Sequence, residues 1–229
     1  MRIRFGTRGS KLALVQTRAV MQTIRNADPS IELEEIVIKT LGDKVTDRPL
    51  FKVGGQGLFI KEIEEALLNK TIDIAVHSLK DMPHTMSAGL ALAAVSKRED
   101  PHDVLISKDR RPLSDIPPES LIGTSSLRRQ AQLKAVRPDL RFADLRGNLD
   151  TRLKKLEAGS VDAVILAAAG LHRLGLADRI TEKLPFATMI PAACQGLLGL
   201  QCRESDLAGL QSVLSAIENP EGRTAATAE

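Results

Sequence analysis

Short apolar runs alternate with segments of helical period, and this pattern recurs in both halves of the chain. Ile3–Phe5 reads as a strand, followed by the loop Gly6-Thr7-Arg8-Gly9-Ser10. A helix then carries Leu12, Val15, Ala19 and Ile24 at helical spacing, with Ser10 placed to cap it. Glu35–Thr40 reads as a strand, and the glycine-rich stretch Val53-Gly54-Gly55-Gln56-Gly57 leads into a helix with Phe59, Ile63, Ala66 and Leu67 on one face. Ile72–Val76 is a buried strand that runs into a turn at Pro83. In the second half, strands at Leu121–Gly123, Leu140–Leu145 and Val161–Ala168 alternate with helices over Leu127–Val136 and Leu149–Ala158. Parallel neighbours need such helical crossovers, so the expectation is an α/β fold with parallel sheets covered on both faces. At 229 residues the chain has room for one large or two modest domains. Lys97-Arg98-Glu99-Asp100-Pro101 reads as a polar crossing between the halves, and Thr224–Ala228 as a small-residue tail.

Composition narrows the function classes. No stretch reaches the roughly 18–20 apolar residues that cross a bilayer. The N-terminal residues turn polar too early for a secretory leader, which gives a cytoplasmic expectation. Cys194 and Cys202 are too few for a disulfide framework and, like the four histidines, fall in no metal-ligand spacing, so no metal is expected. With no Trp and no Tyr, the chain lacks the stacking platforms of single-strand nucleic-acid binders, and no phosphate-loop or dinucleotide signature is present.

The net charge of +3 conceals an uneven distribution. Residues 121–155 hold nine Arg or Lys against three Asp. Either an anion meets this segment or it is a solvated basic helix face. The loop Gly123-Thr124-Ser125-Ser126-Leu127-Arg128-Arg129 is the most informative part. Three hydroxyl residues precede a helix whose first N–H groups are free to hold an anion. Arg128 and Arg129 then sit in the first turn, where a cation opposes the helix dipole by ~0.3–1 kcal/mol. A carboxylate or phosphate at the site would explain that placement; two exposed arginines with no ligand are the alternative. Arg146-Gly147-Asn148-Leu149-Asp150-Thr151-Arg152 repeats the arrangement with Asn148 as cap, and Arg8 is flanked by glycines. Several arginines at strand ends suit a ligand with many carboxylates, because guanidinium binds these bidentately. Asp81 is the odd member: it pairs with Lys80, caps the turn before Pro83, or faces a positive centre or a proton.

These residues fall in motifs that resemble the hydroxymethylbilane synthase, or porphobilinogen deaminase, family. The motifs, in order, are Thr7-Arg8-Gly9-Ser10, Val53-Gly54-Gly55-Gln56-Gly57-Leu58-Phe59, Asp73-Ile74-Ala75-Val76-His77-Ser78-Leu79-Lys80-Asp81-Met82-Pro83, Arg98-Glu99-Asp100-Pro101, Gly123–Arg129, Leu145-Arg146-Gly147-Asn148 and Ala168-Ala169-Gly170-Leu171-His172-Arg173-Leu174-Gly175. The likeness runs from residue 2 to about residue 227. It implies two α/β domains of the periplasmic-binding-protein type (type II), with mainly parallel sheets around a central cleft. Residues 1–97 plus 197–218 would form the first domain and 98–196 the second. It further implies a cytoplasmic, monomeric transferase of porphyrin biosynthesis. Such an enzyme joins four porphobilinogen units head-to-tail, with loss of ammonia, on a covalent dipyrromethane primer. By motif position, Asp81 would be the catalytic carboxylate that stabilises the pyrrole nitrogens and a cationic azafulvene-like intermediate. Arg8, Ser10, Lys80, Thr124, Ser125, Ser126, Arg128, Arg129, Arg146, Arg152 and Arg173 would hold acetate and propionate groups, and Gln195 would be a glutamine of the cleft at the domain hinge.

The sequence departs from the family pattern in three places. The family has a third, α+β domain whose loop carries the cofactor cysteine; residues 219–229 are expected to begin the connection to it, and neither Cys194 nor Cys202 matches that cysteine. Gln56 stands where many members have Lys, and Cys194 where the usual residue before Gln195 is Gly. The competing reading is a non-catalytic two-domain clamp for a small polycarboxylate or pyrrole anion. A nucleic-acid binder using the basic segment is a third reading, and it predicts steep salt dependence.

Overall fold

The computed structural model describes residues 1–40 and 60–229. The glycine-rich stretch at 53–57, with Gln56, lies outside the described residues. In chain order the elements are β1 (Arg2–Arg8), α1 (Lys11–Ala27), β2 (Glu32–Ile38), α2 (Lys61–Leu68), β3 (Ile74–Ser78) and β4 (Leu90–Val95). There follow β5 (Asp103–Ser107), β6 (Leu121–Gly123), α3 (Leu127–Val136), β7 (Arg141–Ala143), α4 (Leu149–Glu157), β8 (Ala163–Ala167), α5 (Ala168–Arg173) and β9 (Glu182–Lys183). The chain closes with β10 (Leu198–Arg203), α6 (Leu207–Ser215) and α7 (Pro220–Ala228). It divides into two compact units, Met1–Glu99 with Leu197–Glu229, and Asp100–Gly196.

The first unit holds a five-stranded sheet of order β2-β1-β3-β10-β4. β1 pairs in parallel with β2 and β3, whereas β10 inserts antiparallel between β3 and β4. Apolar side chains cover both faces. On one face Val20, Met21 and Ile24 of α1 meet Leu210, Val213 and Leu214 of α6 over Phe5, Val76 and Leu200. On the other, Ile63 and Leu67 of α2 pack with Ile72, Ala75 and Leu90. β1 continues through Arg8, beyond the end at Phe5 that the sequence suggests, with Arg8 registered on Ile38. Within that strand, position 6 is glycine for a packing reason: a Cβ there would lie 2.2 Å from Ile72 Cδ1.

The second unit repeats the plan with order β7-β6-β8-β5-β9. β6 pairs in parallel with β7 and β8, and β5 runs antiparallel to β8. One face is covered by Leu153 and Leu156 of α4 with Leu171 of α5, the other by Leu133 of α3 with Leu113, Leu184 and Met189. Each sheet is therefore mixed, with four strands running one way and one, β10 or β5, running antiparallel between two of them.

Polar side chains start the helices, as their residue types dictate. Ser10 accepts from the Ala13 N–H at 3.3 Å, Ser126 from Arg129 at 3.4 Å and Asn148 from Thr151 at 3.0 Å. The small-residue tail is the end of α7, which begins with Asn219 as cap and Pro220 in the first turn. Arg223 of that helix donates to the Leu92 and Ala93 carbonyls, and Glu218 accepts from the Val95 N–H at 2.8 Å. Side chains thus satisfy the outer edge of β4, which would otherwise offer unpaired backbone groups. No helix among the described residues is long and apolar enough to cross a membrane.

Candidate functional site

In the first unit, Arg8 and Ser78 end the parallel strands β1 and β3, where open α/β sheets place their ligands. Ser78 leads into a single 3₁₀ turn, Leu79–Asp81. Arg8, Ser10, Gln16, His77, Ser78 and Asp81 line a pocket of about 80 Å³ there. Asp81 is exposed, and its carboxylate has no hydrogen bond or ion pair among the described residues. It neither pairs with Lys80 nor caps the turn, so the two structural readings of this residue do not describe what it does. Lys80 is exposed on the same turn, and Leu79 is buried beneath it.

Two residues of this pocket are not among the ligand-holding residues expected from the sequence, although His77 falls within one of the family-like motifs. Gln16 is buried on α1, and its amide nitrogen lies 3.1 Å from Ser78 Oγ. His77 is 7 % exposed, and its Nε2 lies 3.1 Å from Gln201 Oε1 on β10. Burial pushes the His77 imidazole down to about 4, against the pull of the Gln201 hydrogen bond and of the Glu64 and Asp81 charges; Arg8 adds to the lowering.

In the second unit the hydroxyl loop is folded on itself. Thr124 is buried, donates its N–H to the Ala143 carbonyl, and accepts from the Ser126 N–H at 3.2 Å. Ser125 is exposed. The two first-turn arginines do face a carboxylate, but it belongs to the protein: Asp103 at the start of β5. Arg128 reaches Asp103 Oδ2 at 2.7 Å and also donates to the Ile190 carbonyl. Arg129 reaches Asp103 Oδ1 through Nε and Nη2, at 3.2 and 2.6 Å, and the Ile165 carbonyl through Nη1. The Gln195 amide donates to the same Asp103 oxygen at 3.0 Å and to the Pro101 carbonyl at 2.7 Å. Burial works against the Asp103 charge, yet the Arg129 guanidinium, the Gln195 amide and Arg128 outweigh it and hold the carboxyl below its ordinary range.

This placement differs from the expectation that Arg129 and Gln195 contact a ligand, and the reason is physical. Both are buried, and their hydrogen bonds to Asp103, Ile165 and Pro101 run to groups inside the unit. Arg128, with a side chain 27 % exposed, is the member of the cluster that reaches the surface. Arg146, Arg152 and Arg173 are part-exposed. Arg152 Nε donates to the Gly147 carbonyl and Arg173 to the Gly196 carbonyl. Arg146 Nη1 is buried with no hydrogen-bond partner among the described residues. Cys194 occupies a left-handed conformation, φ 58°, so the turn keeps a geometry that glycine adopts more readily.

Residues 3–211 match the family model described as porphobilinogen deaminase, dipyromethane cofactor binding domain. Among curated relatives, the porphobilinogen deaminase of Geobacillus kaustophilus is 53% identical over 227 residues, covering 98% of this chain and 72% of its own. That of Syntrophobacter fumaroxidans is 47% identical over 227 residues, covering 99% of this chain and 73% of its own. Among solved structures, the VFT2 domain of Bordetella pertussis BvgS aligns with a TM-score of 0.54 at 13% identity, covering 99% of this chain and 92% of that one. The regulatory domain of Vibrio vulnificus OxyR2 aligns at 0.52 and 13% identity, covering 94% and 95%. At such identities the two structures show the fold alone, an α/β architecture of the periplasmic-binding-protein kind. Near-half identity with curated relatives over almost every residue, with the family model spanning both units, makes the chain a member of the porphobilinogen deaminase family.

Proposed function

We propose that this chain is a hydroxymethylbilane synthase, a transferase that condenses four porphobilinogen units head-to-tail with loss of ammonia. The observation that carries this reading is the Asp81 carboxylate, unpartnered among the described residues and lining a pocket with Arg8 and Ser10. Each porphobilinogen brings two carboxylates and one carbon that turns cationic as ammonia departs. Part-exposed arginines answer the first, and the Asp81 carboxylate, unpartnered among the described residues, answers the second.

Asp81 would accept the pyrrole N–H and stabilise the positive charge that develops when the aminomethyl group leaves. Arg8, Ser10 and Lys80 would orient the acidic arms beside it. In the second unit Arg128, Arg146, Arg152 and Arg173, with Thr124, Ser125 and Ser126, would hold further acetate and propionate groups. Arg129 and Gln195 would support Arg128 by fixing Asp103. The family's dipyrromethane fits this inventory, because the partnerless Arg146 Nη1 and the other part-exposed guanidinium groups suit its carboxylate arms. When bound, that group supplies the pyrrole carbon to which the first substrate is joined. The same reading makes the protein a cytoplasmic monomer that acts on a small molecule, in keeping with two free cysteines.

Incubation with porphobilinogen, with ammonia release and uroporphyrin absorbance after oxidation as readouts, tests the reading. Asp81→Asn is expected to abolish turnover, a loss of about 10²-fold or more, while pyrrole carboxylates bind within a few-fold of the parent. Turnover undiminished in that variant refutes the role of Asp81.

A further inference from the structure

Behind the Asp81 pocket runs a buried chain of polar side chains for which the proposed reaction has, so far, no use. Gln201 lies on β10, the antiparallel strand next to β3. Its Nε2 donates to Glu64 Oε1 of α2 at 2.8 Å, and its Oε1 lies 3.1 Å from His77 Nε2. The second carboxylate oxygen of Glu64 accepts the Ser87 hydroxyl at 2.6 Å, from the segment between Asp81 and β4. Gln201 is fully buried and Glu64 nearly so.

The order of donors and acceptors along this chain is forced. A carboxylate only accepts, so the amide end of Gln201 that meets Glu64 is its NH₂ group. That leaves the Gln201 oxygen, which also only accepts, for His77. Nε2 of His77 must then carry a proton. Burial keeps the ring neutral at physiological pH, against the pull of Glu64 and Asp81 and with the help of Arg8, so Nδ1 carries none. Nδ1 has no hydrogen-bond partner among the described residues, while His77 lines the pocket that Asp81 lines.

We propose that Glu64 and Gln201 are positioning residues that lock His77 in its Nε2–H form, so that Nδ1 offers the Asp81 pocket a hydrogen-bond acceptor for a substrate N–H. This rests on the proposed function for the identity of the substrate, an aminomethylpyrrole rich in N–H donors. The other tautomer would present a donor to the same cation-forming substrate. A protonated ring would add a positive charge beside Arg8. The lock excludes both, and it leaves Asp81 as the charged group that meets the developing cation.

The test is a ¹⁵N spectrum of the histidine rings, with His77 assigned by its absence in His77→Gln. In the parent chain His77 is expected as a single neutral form with the proton on Nε2, unchanged between about pH 6 and 8. In Glu64→Gln, residue 64 can donate as well as accept, so the Gln201 amide can turn over. Both ring forms are then expected, with kcat/KM for porphobilinogen falling about twofold or more, in proportion to the Nε2–H fraction that remains. A parent ring protonated on Nδ1 or on both nitrogens overturns the proposal. So does a Glu64→Gln variant that keeps one form, or one that shows both forms at unchanged kcat/KM. The spectra need no turnover, so a locked ring in a chain that does not consume porphobilinogen supports the relay and overturns the proposed reaction.

Discussion

Replacing Asp103 by Asn tests whether the arginine cluster is built around a carboxylate of the protein. Asp103 is 0 % exposed and accepts from Arg128, Arg129 and Gln195 at 2.6 to 3.2 Å. Asparagine keeps the shape but removes the charge, which leaves the Arg129 guanidinium buried against a neutral amide. Removing one partner of a buried ion pair costs about 3–5 kcal/mol, and the hydrogen bonds an amide oxygen can retain place this substitution at the low end. About 3 kcal/mol lowers Tm by roughly 6–12 °C for a chain of this size. Urea unfolding followed by circular dichroism, with calorimetry for Tm, measures both. A double variant, Asp103→Leu with Arg129→Met, should recover most of the loss, because a buried pair replaced whole by apolar groups is close to neutral. Arg128 is exposed enough in that background to turn to water. The acid limb carries a second signature. The Asp103 carboxyl titrates below its ordinary value of 3.8 in the folded chain, so the unfolded chain takes up the proton first. The contribution is complete above that ordinary value and disappears as pH falls through the lower folded-state value, so stability should decline less steeply in acid for Asp103→Asn. An Asn variant within about 1 kcal/mol of the parent, with the same acid limb, refutes the reasoning.

Other substitutions isolate single features. Gly6→Ala should destabilise the first unit by about 1–3 kcal/mol in urea unfolding, because the new Cβ would lie 2.2 Å from Ile72 Cδ1 in a packed core. Cys194→Gly should raise stability by about 1 kcal/mol, since φ at this position is 58° and glycine relieves the left-handed strain. Arg146→Gln should weaken binding of pyrrole carboxylates by about 10-fold or more in calorimetric titration, yet leave Tm nearly unchanged, because the buried Nη1 has no partner among the described residues to lose.

The local part of the fold was legible because its causes are local. Ser10 and Asn148 are helix caps read from residue type alone, and the strand–helix alternation appears where the apolar runs put it. β1 is longer than expected because its ladder with β2 runs on to Arg8 opposite Ile38, a pairing with another segment that one-dimensional reading cannot see. The basic loop was legible in kind but not in partner. Two cations in a helix's first turn do call for a carboxylate, but Asp103 lies some 25 residues upstream and becomes a neighbour only through the sheet. Gln16, Gln201 and Glu64 left no trace, because polar residues on a helix or strand ordinarily face water. α7 was masked by its small residues, although Asn219-Pro220 is a helix-start signal.

The insertion of β10 between β3 and β4 also sets an order of events during synthesis. Every strand of the second unit has been made by residue 183, and its segment, Asp100–Gly196, is continuous. The first unit begins earlier but lacks its fourth sheet position until residues 198–203 arrive. Until then the free side of β3 and an unpaired β4 await the strand that joins them, the kind of open edge that invites wrong partners. The later-made unit can therefore be complete while the earlier one is still waiting, an inversion of the usual N-terminus-first sequence on the ribosome.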